Sequence, residues 1–315
     1  MRDVRRTVVY ACAGAALVLA AVLTLLGVGD DPARLANWQA FVLGLVQGAT
    51  ELLPISSSGH LILVPWLFDW DYLQANDDFN QTFDVSLHLG TLVAVGAYFW
   101  RDLEALLAAW VGSIRRRSIS STDERVAWVV VAATIPAGLI GFALEDVIAE
   151  KLGEPWQIAL LLGTFGLLLG WADRRTATRT IGDLTLRQGV AVGLAQSLSL
   201  VPGVSRSGIT ITVGRMLGLD RDSAARFSFL LLVPITLAAV VFKGLTDVLL
   251  ADLPSGMVGP FVVGSLASLG SGLLAIMFLL DYVRRHSYDV FVVYRVLIAI
   301  AILLLIATGV RSAGF

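Results

Sequence analysis

The sequence predicts an all-α polytopic membrane protein, and three observations carry that expectation. Of its 315 residues 57% are apolar and only 15% charged, with a mean hydropathy of +0.78, far from the balance of soluble domains. Apolar windows of about 20 residues, the length that crosses a bilayer as helix, recur along the whole chain. These windows are continuous and rich in Leu, Ala, Val and Gly, whereas a membrane barrel shows short stretches of alternating polarity.

Taken in order, residues 1–28 open with Arg2, Arg5 and Arg6 and continue as an apolar stretch from Val8 to Val28. That stretch exceeds the roughly 7–15 apolar residues of a signal-peptide core, so a retained N-terminal span is expected. Six core spans follow at about 83–100, 126–144, 156–172, 227–243, 259–280 and 290–310. Two further apolar regions, about 38–66 and 188–218, are interrupted by Pro, Gly and clustered Ser, and read as broken, re-entrant helix pairs. Non-helical backbone at membrane depth persists only where protein or a water-filled cavity satisfies its N–H and C=O groups. The two breaks are therefore the natural walls of a site.

An offset of 149 residues brings Gly44 onto Gly193, Gln47 onto Gln196, Ser56 onto Ser205, Ser58 onto Ser207 and Gly59 onto Gly208. Three full spans separate the two breaks, so the copies enter from opposite faces as an inverted repeat. The expected organisation is an N-terminal extension, 1–35, and a membrane-embedded unit, 36–315, whose repeats cover about 36–150 and 185–311.

Charge sets the orientation. If residues 101–125, 173–187, 215–226 and 284–285 are cytoplasmic, those loops and the N-terminus hold 17 of the 23 Lys and Arg, as the positive-inside rule requires. The opposite side holds Arg34, Lys151 and Arg311, and its loops 66–82 and 244–258 carry several Asp. The N-terminus is expected inside and the C-terminus outside. A net charge of −2 with basic residues scattered over loops excludes a nucleic-acid partner. Cys12 is the only cysteine, which excludes an internal disulfide and a thiolate metal cluster.

The first break runs from Gln47 through Glu51, Pro54, Ser56, Ser57 and Ser58 to His60. Ionisable groups at membrane depth mark function. Gln47 and Glu51 are four apart, so on a helix they share a face and can hold a divalent cation or a water through oxygen. Pro54 ends that helix, and the Ser-Ser-Ser-Gly run offers hydroxyls and N–H donors to an anion. His60 can activate a serine hydroxyl or protonate a leaving group. The second break, Pro202 to Thr210, sets Arg206 among Ser205, Ser207 and Gly208, a planar fork suited to phosphate oxygens. Elsewhere, His88 either lines the site or bonds a neighbouring helix. Arg295 is close enough to the cytoplasmic end of the last span to snorkel, His286 is a solvated loop residue, and Asp77-Asp78 belongs to a wet outer loop.

These stretches, Gln47–Glu51, Pro54–His60 and Pro202–Thr210, resemble the two signature motifs of the undecaprenyl-diphosphate phosphatase family linked to bacitracin resistance. Phe83–Val95, Phe227–Pro234 and Tyr294-Arg295 resemble it too, and the likeness covers about residues 36–311. The resemblance implies six spans plus two re-entrant pairs in an inverted repeat, with a site that depends on a divalent cation, Mg²⁺ or Ca²⁺, and opens to the outer face of the bacterial plasma membrane. It implies hydrolysis of an isoprenoid diphosphate lipid that is spent in cell-wall synthesis. By motif, Glu51 binds metal or orients water with Gln47 beside it, and Ser57 or His60 leads the attack. Ser205, Arg206 and Thr210 hold the diphosphate, with Ser56, Ser58 and Ser207 as further substrate contacts. Gln47 stands where some members carry a Glu, which bears on metal affinity. The expected partners are the lipid substrate, the bilayer and a second copy of the chain in a homodimer. A lipid-phosphate transporter or flippase is the rival reading, drawn from the inverted repeat; it needs no activated nucleophile.

Overall fold

A computed structural model describes residues 2–28, 35–70, 77–243 and 258–314. Among them are eleven α-helices and no strand. In chain order they are α1 (Arg2–Leu25), α2 (Asn37–Leu52), α3 (Ser57–Phe68), α4 (Asp77–Arg116), α5 (Thr122–Lys151), α6 (Pro155–Asp173), α7 (Leu186–Gln196), α8 (Arg206–Met216), α9 (Arg221–Lys243), α10 (Val258–Tyr282) and α11 (Asp289–Ala307). Seven of these, α1, α4, α5, α6, α9, α10 and α11, are long and apolar enough to cross a membrane. The chain is therefore a multi-pass membrane protein. Arg34, loop residues 71–76 and 244–257, and the side chains of Asp77 and Asp78 lie outside the described residues.

Both expected breaks are present, and proline sets them. The residue before a proline is pushed out of the helical region; Leu53 before Pro54 is extended at φ −77°, ψ 146°, and Val201 before Pro202 at φ −80°, ψ 121°. Each chain then re-enters helix through a serine with positive φ, Ser56 at 75° and Ser205 at 76°. These two serines are repeat mates, and such a backbone costs about 1–3 kcal/mol in an L-residue, so it persists only where the surroundings enforce it. Ser56 Oγ accepts from Gly203 N of the other break at 3.2 Å, and Ser205 Oγ caps its own helix at Gly208 N at 3.0 Å.

In lipid, helices associate through close backbone approach and interhelical hydrogen bonds rather than by hiding apolar surface from water. Helix α2 accordingly lays Gly44 and Gly48 on α10, where an added Cβ would strike Gly264 O and Ser268 O. Ser265 Oγ and Ser268 Oγ of α10 donate to Ser86 O and Leu87 O of α4, each at 2.8 Å. The same device recurs in the second half: Gly193 of α7 meets the carbonyl of Ala133 on α5. Each broken pair thus packs on a long helix of the other half, α2 on α10 and α7 on α5. Helix α6 lies along α11, with Gly163, Gly166 and Gly170 facing Ala299, Arg295 and Val292.

Two expectations need revision. The sequence ends its second span near residue 100, but α4 bends at Phe99 (φ −103°, ψ 16°) and runs on to Arg116. Residues 101–116 contain Leu, Ala and Glu and lack proline, so polarity ends the span there without ending the helix. Arg295 does not snorkel: it is fully buried. Its guanidinium donates to the carbonyls of Leu162, Pro54, Leu161, Gly203 and Val204 at 3.0, 3.2, 3.4, 3.0 and 3.0 Å.

Candidate active site

The site forms where the two breaks meet, because the last turn of α2 carries Glu51 to the first turns of α3 and α8. Glu51 is 7% exposed. Its carboxylate accepts from Arg206 Nη2 at 3.0 Å and Nε at 3.3 Å, and Ser57 Oγ donates to its other oxygen. Gln47 Nε2 reaches that oxygen at 3.4 Å, and His88 Nε2 lies 3.6 Å from it. Arg206 is held from behind by Ser228, whose carbonyl accepts from Nη1 at 2.7 Å. Ser57 and Arg206 are each the first residue of a helix whose leading N–H groups have no partner in their own helix, so both positive helix ends converge on this carboxylate. A phosphate placed between Ser57 and Arg206 would meet two helix N-termini and a guanidinium.

The other expected residues lie in and around the two turns. Ser56, Ser205, Ser207 and Thr210 are all buried. Their hydroxyls are bonded within the protein: Ser56 to Gly203 N, Ser205 to Gly208 N and Ser207, Ser207 to Leu53 O, and Thr210 to Arg206 O and Ser228 Oγ. They fix the two turns and hold Arg206 in place. Ser58 is half-buried beside Ser57. His60 points away from Ser57: Nδ1 lies 2.7 Å from Ser56 O and Nε2 2.7 Å from Tyr294 Oη. It lines an apolar cleft of about 470 Å³ with Val46, Ala49, Leu53, Phe291 and Tyr294. Sequence reasoning missed Ser228 and the Arg295 clamp. A single serine in an apolar span carries no signal, and a contact made to backbone carbonyls has no residue-type signature.

Among the described residues there is no cluster of three His, Cys, Asp or Glu that could hold a metal. Gln47 Oε1, however, is buried and unpartnered beside the Glu51 carboxylate. The two are hard oxygen donors, few in number, and fit a divalent cation held chiefly by water and substrate phosphate.

The family model described as Bacitracin resistance protein BacA matches residues 40–301. The chain belongs to the BacA family. Relatives named undecaprenyl-diphosphatase include one from Thermomicrobium roseum, 46% identical over 86% of this chain and 98% of the relative. Another, from Moorella thermoacetica, is 47% identical over 83% of this chain and 94% of the relative. A third, from Nocardioides sp., is 43% identical over 87% and 98%. The BacA match begins after α1, so the first helix stands apart from the family core.

Proposed function

We propose that this chain hydrolyses undecaprenyl diphosphate to undecaprenyl phosphate and inorganic phosphate in the bacterial plasma membrane. It thereby recycles the lipid carrier for cell-wall synthesis and confers bacitracin resistance. The observation that carries the chemistry is the Ser57 hydroxyl donating to a Glu51 carboxylate that Arg206 pins in place. A carboxylate so placed is a base for that hydroxyl.

Ser57 Oγ attacks the terminal phosphorus while its proton passes to Glu51. The Oγ–P bond forms, the bridging P–O bond breaks, and undecaprenyl phosphate leaves. Water then attacks the phosphoserine, the Oγ–P bond breaks as Ser57 Oγ recovers the proton from Glu51, and inorganic phosphate departs as dihydrogen phosphate carrying both of the water's protons, one of which it gives up to solvent. Arg206 and the helix ends of α3 and α8 stabilise the charge on the transferring phosphoryl group. Ser57 leads rather than His60 because both ring nitrogens of His60 are engaged elsewhere. The apolar cleft beside His60 takes isoprenoid units. Gln47 and Glu51 would hold a divalent cation, Mg²⁺ or Ca²⁺, which would supply charge neutralisation at the diphosphate when bound. The active site faces outside and the N-terminus is cytoplasmic, a reading supported by the Arg distribution.

The test is phosphate release from undecaprenyl diphosphate by the purified chain in detergent, with and without chelator. Wild type releases phosphate and loses that activity with chelator, and Ser57→Ala releases none. Labelled substrate leaves phosphate on the wild-type protein and not on Ser57→Ala. Turnover by Ser57→Ala at the wild-type rate would overturn the serine assignment.

A further inference from the structure

The N-terminal helix α1 and the C-terminal end of α10 enclose a cavity of about 420 Å³. It is lined by Arg6 and Tyr10 of α1, by Leu274, Met277, Phe278 and Asp281 of α10, and by Arg285 just beyond it. Its floor is apolar and its rim cationic. Arg6 pairs with Asp281 at 2.9 Å, with both side chains half exposed. Arg285 has no side-chain hydrogen bond or ion pair among the described residues, while its neighbour Arg284 is bound to Asp222 at 2.8 Å. One wall is an aromatic stack: Phe278 and Tyr282 have ring centroids 5.5 Å apart, and Tyr282 and His286 4.6 Å apart.

An unpaired guanidinium beside a half-exposed ion pair gives the rim a net positive charge among the described residues. Leu274, Met277 and Phe278 lie one to two turns further into the span from the charged end of α10, at the level where acyl chains begin. A soluble anion would use the rim and leave the floor bare, whereas a phospholipid satisfies both. Tyr10 and Tyr282 suit the same boundary, since their rings are apolar and their hydroxyls polar. Cationic pockets between spans on the cytoplasmic side fit anionic headgroups.

We propose that this cavity is a binding site for an anionic phospholipid, with its phosphate on Arg285 and Arg6 and its acyl chains along Leu274, Met277 and Phe278. The N-terminal helix that precedes the family core supplies Arg6 and Tyr10 to this site, and the rest comes from α10 and the residues after it. Phe278 also borders the apolar cleft beside His60, while Glu51 lines neither cavity. Asp281 holds Arg6 in place but opposes the phosphate.

The purified full-length chain is titrated in detergent micelles with phosphatidylglycerol, with phosphatidylcholine and with inorganic phosphate alone, following its melting temperature. Phosphatidylglycerol raises the melting temperature saturably, and the other two do not. Arg285→Gln weakens the phosphatidylglycerol midpoint about fivefold, the loss expected for one surface cation at a charged headgroup. Arg6→Gln weakens it at least as much, whereas Asp281→Asn tightens it. The last two variants break the same ion pair, so an effect on helix packing alone would move both in one direction. Equal stabilisation by phosphatidylcholine or by inorganic phosphate would overturn the assignment, as would an unchanged midpoint in Arg285→Gln or a parallel loss in Arg6→Gln and Asp281→Asn.

Discussion

Arg206 and Arg295 are both guanidinium groups at membrane depth, and their partners separate their roles. Arg206 forks onto one Glu51 oxygen through Nε and Nη2 while Nη1 holds Ser228 O. A lysine ammonium cannot copy that fork. Arg206→Lys should therefore lower kcat by on the order of a hundredfold despite keeping the charge, and near-normal turnover would remove Arg206 from the site. Arg295 binds five carbonyls and no acid. Arg295→Met strands those carbonyls and should destabilise the protein by on the order of 3 kcal/mol, read as a lower melting temperature in detergent. Arg206 was legible in sequence because small and hydroxyl residues surround it. Arg295 was not, because distance from a helix end suggested a solvated head and nothing in the sequence marks a carbonyl as a partner. Gln47 was legible as a neighbour of Glu51 from spacing alone. Restoring a second carboxylate there should tighten a hard cation, so Gln47→Glu should need less Mg²⁺ or Ca²⁺ for half-maximal activity and should bind Ca²⁺ more tightly by calorimetry. An unchanged titration on both readouts would place the cation elsewhere.

At the scale of elements, the breaks were legible because proline acts on the residue before it, as Leu53 and Val201 show. The bend at Phe99 was not, since hydropathy reports where a span leaves the apolar layer and not where helical hydrogen bonding stops. The serine turns were visible as composition, but their roles divided only in three dimensions: Ser57 turns toward Glu51, while Ser56 and Ser205 hold turns. Glycine at 44 and 193 is required by the approach of a neighbouring carbonyl. Gly44→Val and Gly193→Val should each force their helix pair apart, costing about 1–3 kcal/mol or more. Both should lower the yield of monodisperse protein, whereas Gly96→Val, where an added Cβ meets nothing within 4 Å, should not. Equal yields from all three would mean that the α2–α10 and α7–α5 contacts are looser than described.

For the whole molecule, each broken pair rests on the other half, so neither half has a complete packing surface of its own. Orientation can be read by thiol labelling in intact cells in a Cys12→Ala background. Cysteine at Asp77 or Glu150 should react with an impermeant reagent, and cysteine at Arg116 or Arg174 should not; the reverse pattern would invert the protein. The position of Arg295 has a consequence for biosynthesis. The carbonyls of Pro54, Gly203 and Val204 emerge from the ribosome long before the residue that satisfies them, and an unsatisfied carbonyl in lipid costs several kcal/mol. Until α11 inserts, the two turns depend on water or on the insertion machinery for their hydrogen bonds. A chain that stops at residue 288 carries every residue of the Glu51 site and still lacks its clamp. Cellular quality control should clear that truncated product rapidly, in contrast to one that stops after residue 307, and a pulse–chase comparison of their lifetimes would measure how much of the fold waits for its final helix.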